Sequence, residues 1–185
     1  MKDQDRDRLR TLIRKHCLSF GDFVLSSGKR SNYYLDVRKI TTLPEGAYLL
    51  AKILLTMLEE GKIQALGGPT IGADPIAGAV AAVSFSEGRG LPTFMVRRDV
   101  KAHGTARKIE GNLSKNWKVA IIDDVITTAG SILSAARAAE EMGCVVDRIL
   151  AVVDREEGGA AEIERAGYRF DSIFKVSEIL KPESN

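Results

Sequence analysis

The chain has 185 residues, 44% apolar and 28% charged, with 27 Lys and Arg against 25 Asp and Glu for a formal net charge of +2. That is enough chain for one domain with a sizeable core, and the near balance of charge excludes the strong basic patch that nucleic acid demands, while suiting a protein that handles small polyanions. Cys17 and Cys144 lie far apart and outside any C-x-x-C spacing, which excludes a disulfide framework or zinc site and points to a reducing, cytoplasmic compartment.

The charged opening Met1–Arg8 has no apolar h-region and no stretch approaches a membrane span, so neither signal peptide nor membrane contact is expected. Leu9, Leu12, Ile13 and Cys17 recur at helical spacing and predict an amphipathic first helix. Phe23–Leu25 reads as a short extended piece, Ser26–Lys29 as a turn and Tyr33–Val37 as a strand. Thr42 is the expected N-cap and Pro44 the expected first-turn residue of a helix over Ala47–Leu58, closed by Gly61. Ala65–Gly68 reads as a short buried strand entering a Gly/Pro turn, and Pro75 opens a helix of small residues, Ile76–Val83. Thr93–Val96 is a predicted strand, whereas residues 98–112 are charged and aperiodic. Val119–Ile122 is the predicted central strand, Ser131–Met142 a helix ended by Gly143, and Arg148–Val153 the next strand. A helix near Ala160–Ala166 and a strand near Phe170–Val176 complete the pattern.

Strands alternating with helices predict an α/β fold, a mostly parallel twisted sheet flanked by helices on both faces. No linker or internal repeat divides the chain, so one domain over 1–185 is expected. Residues 1–40 would form a helix and a small N-terminal cap, and 98–112 a mobile loop, since long loops inside compact domains are usually functional lids or disordered.

Chemistry concentrates in Lys118–Ser131, where the apolar run Val119–Ile122 meets Asp123 and Asp124, followed by Val125, Ile126, Thr127, Thr128, Ala129, Gly130 and Ser131. A buried strand, a hydroxyl-rich turn and a helix start make a phosphate cradle. Two carboxylates repel a phosphate, but they suit a phosphate carried by a sugar whose hydroxyls, or a sugar-bound Mg²⁺, need acceptors. The plainer reading is a polar strand end running into a turn.

The fourteen-residue pattern resembles the 5-phosphoribosyl-1-diphosphate (PRPP) signature of the type I phosphoribosyltransferases, with Ala129 where many members have Gly. If that position needs positive φ, Ala would strain it by ~1 kcal/mol. The expectation is that Gly130 takes any such conformation instead.

Arg97-Arg98-Asp99-Val100-Lys101-Ala102-His103-Gly104 follows a predicted strand. On composition alone this is a solvated charged loop. Opposite a phosphate cradle, a mobile cationic loop can also close over a diphosphate. Its pattern is similar to the catalytic loop of orotate phosphoribosyltransferases, and Arg97, Arg98, Lys101 and His103 match its charged positions. Asp154-Arg155-Glu156-Glu157-Gly158-Gly159 resembles the same family's base-site motif, in which the Arg meets the substrate carboxylate. Without that resemblance, a structural pairing of Arg155 with Asp154 or Glu156 stands beside it.

Phe23–Tyr34 resembles the family element that covers the pyrimidine, with Tyr34 and Leu35 at the base. Ser26 stands where some members carry a Lys that reaches the diphosphate. Gly68–Ala77 resembles the pyrophosphate loop, with Ile71-Gly72 where some members have Tyr-Lys.

The resemblance therefore implies transfer of phosphoribose from PRPP to orotate. The carried-over catalytic residues are Lys101, His103, Arg97, Asp123 and Asp124. PRPP would meet Arg97, Arg98, Lys101, His103 and 123–131, and orotate would meet Thr127, Arg155, Tyr34 and Leu35. Mg²⁺ would be held mainly by PRPP, with Asp123 and Asp124 nearby directly or through water. It also implies a homodimer whose catalytic loop reaches the neighbour's site, with no nucleic acid or membrane partner. A phosphoribosyltransferase for a purine would offer Arg155 no carboxylate. A PRPP-sensing regulator would need a DNA-binding element, and the roughly 20 residues before Phe23 are too short for a helix-turn-helix domain.

Overall fold

The computed structural model describes residues 2–24, 30–98 and 108–181. In chain order the elements are α1 (Lys2–Cys17), β1 (Leu18–Val24), β2 (Arg30–Leu35), α2 (Arg38–Thr41), α3 (Pro44–Met57), β3 (Ala65–Pro69), α4 (Asp74–Ser86), β4 (Thr93–Val96), β5 (Ile109–Gly111), β6 (Lys118–Ile126), α5 (Gly130–Glu141), β7 (Val145–Asp154), α6 (Gly159–Arg165), β8 (Arg169–Lys175) and α7 (Val176–Leu180).

Six strands form one sheet in the order β5-β4-β3-β6-β7-β8, parallel except for β5, which runs antiparallel to β4. The apolar runs of the central strands divide their side chains between two cores. Along β6, Val119 and Ile121 enter one core while Ala120 and Ile122 enter the other; along β7, Ile149 and Ala151 oppose Leu150 and Val152. Strict alternation of side-chain direction turns a continuous apolar stretch into two buried faces. On one face the partners are Leu9 and Ile13 of α1, Leu50 and Leu54 of α3 and Val80 of α4. On the other, Ala135, Ala136 and Ala139 bring α5 close to the sheet beside Ile132, Phe94 and Ile163. Each large side chain removed from water in this way contributes about 1.5–3 kcal/mol. Among the described residues, no helix is long and apolar enough to cross a membrane.

β1 and β2 form a separate antiparallel pair, with an irregularity between Phe20 and Phe23. β1 is longer than the piece expected at Phe23–Leu25 because it continues directly from α1. Ser19, Gly21 and Asp22 are poor strand formers, so pairing with β2, not local preference, makes it a strand. Thr42 is not an N-cap: Leu43 occupies that position, while Thr42 closes α2 and its Oγ1 donates to the Arg38 carbonyl at 2.8 Å. β6 runs past the expected end at Ile122 to Ile126, because β7 keeps pairing with it as far as Ile126 opposite Asp154. The acid pair therefore sits inside the ladder and not after it. β5 and α7 were not expected; at three and five residues they are too short to show a period.

The first and last helices are joined. Arg6 donates to Glu178 at 2.6 Å and to the Ile173 carbonyl at 3.0 Å, with its guanidinium 4.6 Å above the Phe174 ring. Arg14 donates to the Ile179 carbonyl at 2.8 Å.

Candidate active site

A cavity of about 310 Å³ opens at the carboxyl ends of β3, β6 and β7, where open α/β sheets place their ligands. Pro69, Thr70, Ile71 and Gly72 form one wall; Asp123, Asp124, Val125, Thr127 and Ser131 form the floor; Leu35, Asp36, Val37, Arg38, Arg98 and Arg155 complete it.

Asp123 is only 7% exposed. Its Oδ1 accepts from the Asp124 backbone N–H at 2.9 Å, and Oδ2 lies 3.5 Å from the Ser131 hydroxyl. Burial, and then the negative charge of Asp124, push its carboxyl well above the usual carboxylate range. Asp124 Oδ1 accepts from the Val125 N–H at 2.8 Å, which leaves oxygen acceptors of both side chains at the cavity. Gly72 closes over the pair, because a β-carbon there would lie 2.5 Å from Asp124 Oδ1 and 2.6 Å from Asp123 Oδ1.

The turn after β6 delivers the chain to the N-terminus of α5, which has no side-chain cap. Its first N–H groups therefore remain available to an anion. The left-handed conformation in this turn belongs to Ala129 (φ 66°, ψ 1°), not to Gly130 as expected. Ala129 is 4% exposed, and its methyl joins the core of Ile126, Ile132 and Ile163. The buried methyl, which Gly would lack, offsets part of the backbone cost.

Arg155 follows β7, its N–H bonded to the Ile126 carbonyl at 3.0 Å, so the β6–β7 ladder aims it at the cavity. Its side chain is 8% exposed; Nε donates to Glu157 Oε1 at 2.9 Å, Nη2 faces the Tyr33 hydroxyl at 3.4 Å, and the guanidinium lies 5.2 Å from the Tyr33 ring centre. Its pairing partner is thus Glu157, neither Asp154 nor Glu156.

Of the other expected residues, Arg98, Thr127, Ser131, Val125 and Leu35 line the cavity, whereas Thr128 and Ala129 are in the turn that leads to α5, Gly130 is the first residue of α5, and Ile126 is in the core. Arg97 lines a second cavity of about 200 Å³ with Arg98, Ser131 and Ser134, and pairs with Glu110 at 3.5 Å. Tyr34 points to the other face of β2, its ring centre 5.7 Å from that of Phe23. Alternation makes Tyr33 the aromatic that meets Arg155. Lys101 and His103, like Ser26, lie outside the described residues. Sequence reasoning missed Tyr33, Asp36, Arg38 and Glu157. Asp36 and Arg38 form a two-bond pair at 2.8 and 3.2 Å, and the Arg38 bond holds the Asp36 carboxyl below its ordinary value. Their adjacency to Tyr33–Leu35 was the available signal.

Among the described residues, no group of three His, Cys, Asp or Glu side chains could hold a metal. Asp123 and Asp124 offer hard oxygen donors that suit Mg²⁺, but two carboxylates leave most of an octahedral shell to other oxygens.

No family model matches the chain. It is 46% identical over 179 residues to the orotate phosphoribosyltransferase of Aquifex aeolicus (strain VF5), covering 95% of this chain and 98% of that one. A crystal structure of Mycobacterium tuberculosis H37Rv orotate phosphoribosyltransferase in complex with Fe(III) dicitrate superposes with a TM-score of 0.85 at 33% identity, covering 96% and 99% of the two chains. The same organism's enzyme in complex with 5-phospho-α-D-ribosyl 1-diphosphate gives 0.80 at 30% identity, covering 95% and 98%. The chain belongs to the orotate phosphoribosyltransferase family, which moves the 5-phosphoribosyl group of PRPP onto orotate, giving orotidine 5′-monophosphate and diphosphate in pyrimidine biosynthesis.

Proposed function

We propose that the cavity between the acid pair and Arg155 is where PRPP and orotate react in this chain, which acts as one domain with residues 1–40 as a base-covering cap. The observation that carries this reading is the convergence of three unlike groups on one 310 Å³ space: paired carboxylates, an uncapped helix N-terminus and a buried arginine.

Thr127, Ser131 and the N–H groups at the start of α5 hold the 5-phosphate, which anchors the sugar and positions its anomeric carbon. Asp123 and Asp124 accept hydrogen bonds from the ribose hydroxyls. Arg155 grips the orotate carboxylate, with Leu35 and Tyr33 on the same face of β2 along the ring. Displacement at the anomeric carbon builds positive charge on the ribose and negative charge on the departing diphosphate. Arg97 and Arg98, with Lys101 and His103 of the following loop, stabilise the latter and exclude water. Asp123 and Asp124, directly or through water, would help PRPP oxygens hold Mg²⁺, which would supply further charge neutralisation at the diphosphate. The M. tuberculosis relative was crystallised in complex with PRPP, which supports PRPP as the ligand of this fold. We further propose a homodimer in which the loop beyond Arg98 serves the neighbouring site, working in the cytoplasm, where the free Cys17 and Cys144 stay reduced.

The test is the orotate absorbance assay with PRPP and Mg²⁺. Arg155→Ala should raise the KM for orotate by roughly 10-fold or more, as loss of a charged bidentate contact does, while leaving the KM for PRPP within a factor of about three. An unchanged orotate KM would remove Arg155 from the base site.

A further inference from the structure

We propose that Glu157 is a positioning residue for Arg155, one that fixes which edge of the guanidinium is presented to the base; this rests on the reading of Arg155 as the carboxylate grip. A guanidinium is flat and carries five N–H donors, so its orientation decides whether a carboxylate meets it with two bonds or one. In this structure the side-on edge is taken by the protein: Glu157 accepts from Nε at 2.9 Å, and the Tyr33 hydroxyl lies 3.4 Å from Nη2. The Tyr33 ring supports the plane from 5.2 Å. Among the described residues nothing accepts from Nη1, which leaves the Nη1–Nη2 end for a ligand.

The turn bearing Glu157 is itself held. Glu156 donates its N–H to Asp154 Oδ1 at 2.8 Å, and its own carboxylate accepts from the Ser177 N–H at 3.0 Å, at the start of α7. Glu157 therefore reaches Arg155 from a fixed base and not from a loose loop.

A carboxylate beside a subsite for an anion looks unfavourable, and that makes the proposal decidable. If the Glu157 charge acts only by Coulomb repulsion, removing it by any substitution lowers the KM for orotate. If Glu157 positions Arg155, the outcome depends on whether an acceptor remains at Nε. Glu157→Gln keeps an acceptor without the charge and should hold the orotate KM at or below that of the parent. Glu157→Ala keeps neither, and should raise it by roughly 10-fold, with kcat and the PRPP KM changed by less than about three-fold. Should the Ala variant fail to fold, Glu157→Asp must show the same rise, since it keeps the charge but withdraws the oxygens by one methylene. A lowered KM in both Gln and Ala variants, an equal rise in both, or no change in the Ala variant would each overturn the proposal. Arg155→Ala measured alongside separates the two levels: if its orotate KM also stays put, the underlying base-site reading fails, whereas a rise there with none in Glu157→Ala sinks only the role of Glu157.

Discussion

Gly72 lies in the loop after β3 and Asp124 inside β6, yet the α-carbon of one is packed against the carboxylate of the other. A β-carbon on Gly72 would stand 2.5 Å from Asp124 Oδ1, nearer than real contacts allow. The backbone angle at Gly72 is not in the left-handed region, so the requirement for glycine there is one of space alone.

Gly72→Ala should accordingly displace the acid pair without unfolding the chain. We expect kcat/KM to fall by about 10²-fold, since small misplacement of reacting groups is costly, with a loss of stability of about 1–3 kcal/mol from overpacking. Steady-state kinetics beside a denaturant titration checks both. Wild-type kinetics would mean that the loop from Pro69 to Gly72 moves aside freely.

Asp123→Asn should separate stability from activity. The Asp123 carboxyl is raised by burial and by Asp124, so the folded state binds its proton more tightly than the unfolded state does. Stability from this group is lost as pH rises from the ordinary carboxylate range, about 3.9, through the raised folded value, and the penalty is complete above it. The Asn variant escapes the penalty. It should melt higher than the parent at neutral pH, with the gap closing toward pH ~4, while kcat falls by about 10²-fold or more. A lower melting temperature at neutral pH would contradict the assignment.

Ala129 offers a test of backbone against core. Ala129→Gly relieves about 1 kcal/mol of left-handed strain and forfeits about 0.8 kcal/mol of buried methyl, so equilibrium unfolding should move by less than about 1 kcal/mol. Ala129→Val, β-branched at φ 66°, should cost about 2 kcal/mol or more. Equal effects of the two would refute the strain argument.

Glu178 should show the opposite pH sign to Asp123. Burial pushes its carboxyl up, but the Lys175 N–H and the Arg6 guanidinium outweigh it and leave it below its ordinary value. Its contribution is present above about pH 4.3 and disappears as pH falls through the lowered folded value. Glu178→Ala should destabilise by about 1 kcal/mol at pH 7, a figure kept small by solvent screening of two partly exposed side chains. The difference from the parent should shrink in acid, as followed by thermal melts from pH 7 to 3.

The sheet was legible because its central strands are long apolar runs punctuated by glycine and proline, and a buried parallel strand needs nothing else. The acid pair and the turn after it were legible for a similar reason, since Asp123 through Ser131 are contiguous and their chemistry is local. Tyr33 and Glu157 were not. Their roles depend on which face of β2 meets the end of β7, and that is fixed by tertiary packing between segments about 120 residues apart. The misplaced expectation at Gly130 has another cause. Local preference favours glycine at positive φ, but the methyl of Ala129 is paid back by the core beneath it, which no window of neighbouring residues reveals.

The junction of Arg6 with Glu178 spans 172 residues of sequence. A chain emerging from the ribosome presents Arg6 and Arg14 of α1 long before β8 and α7 exist to receive them, so this contact raises the contact order and postpones closure. Ser177, beside Glu178, is also the anchor of Glu156. The half of the cavity built by β6 and α5 can therefore form while synthesis continues, but the arginine half must wait for the final helix. With the site assigned as proposed above, folding order gives the chain its hold on the sugar before its discrimination of the base.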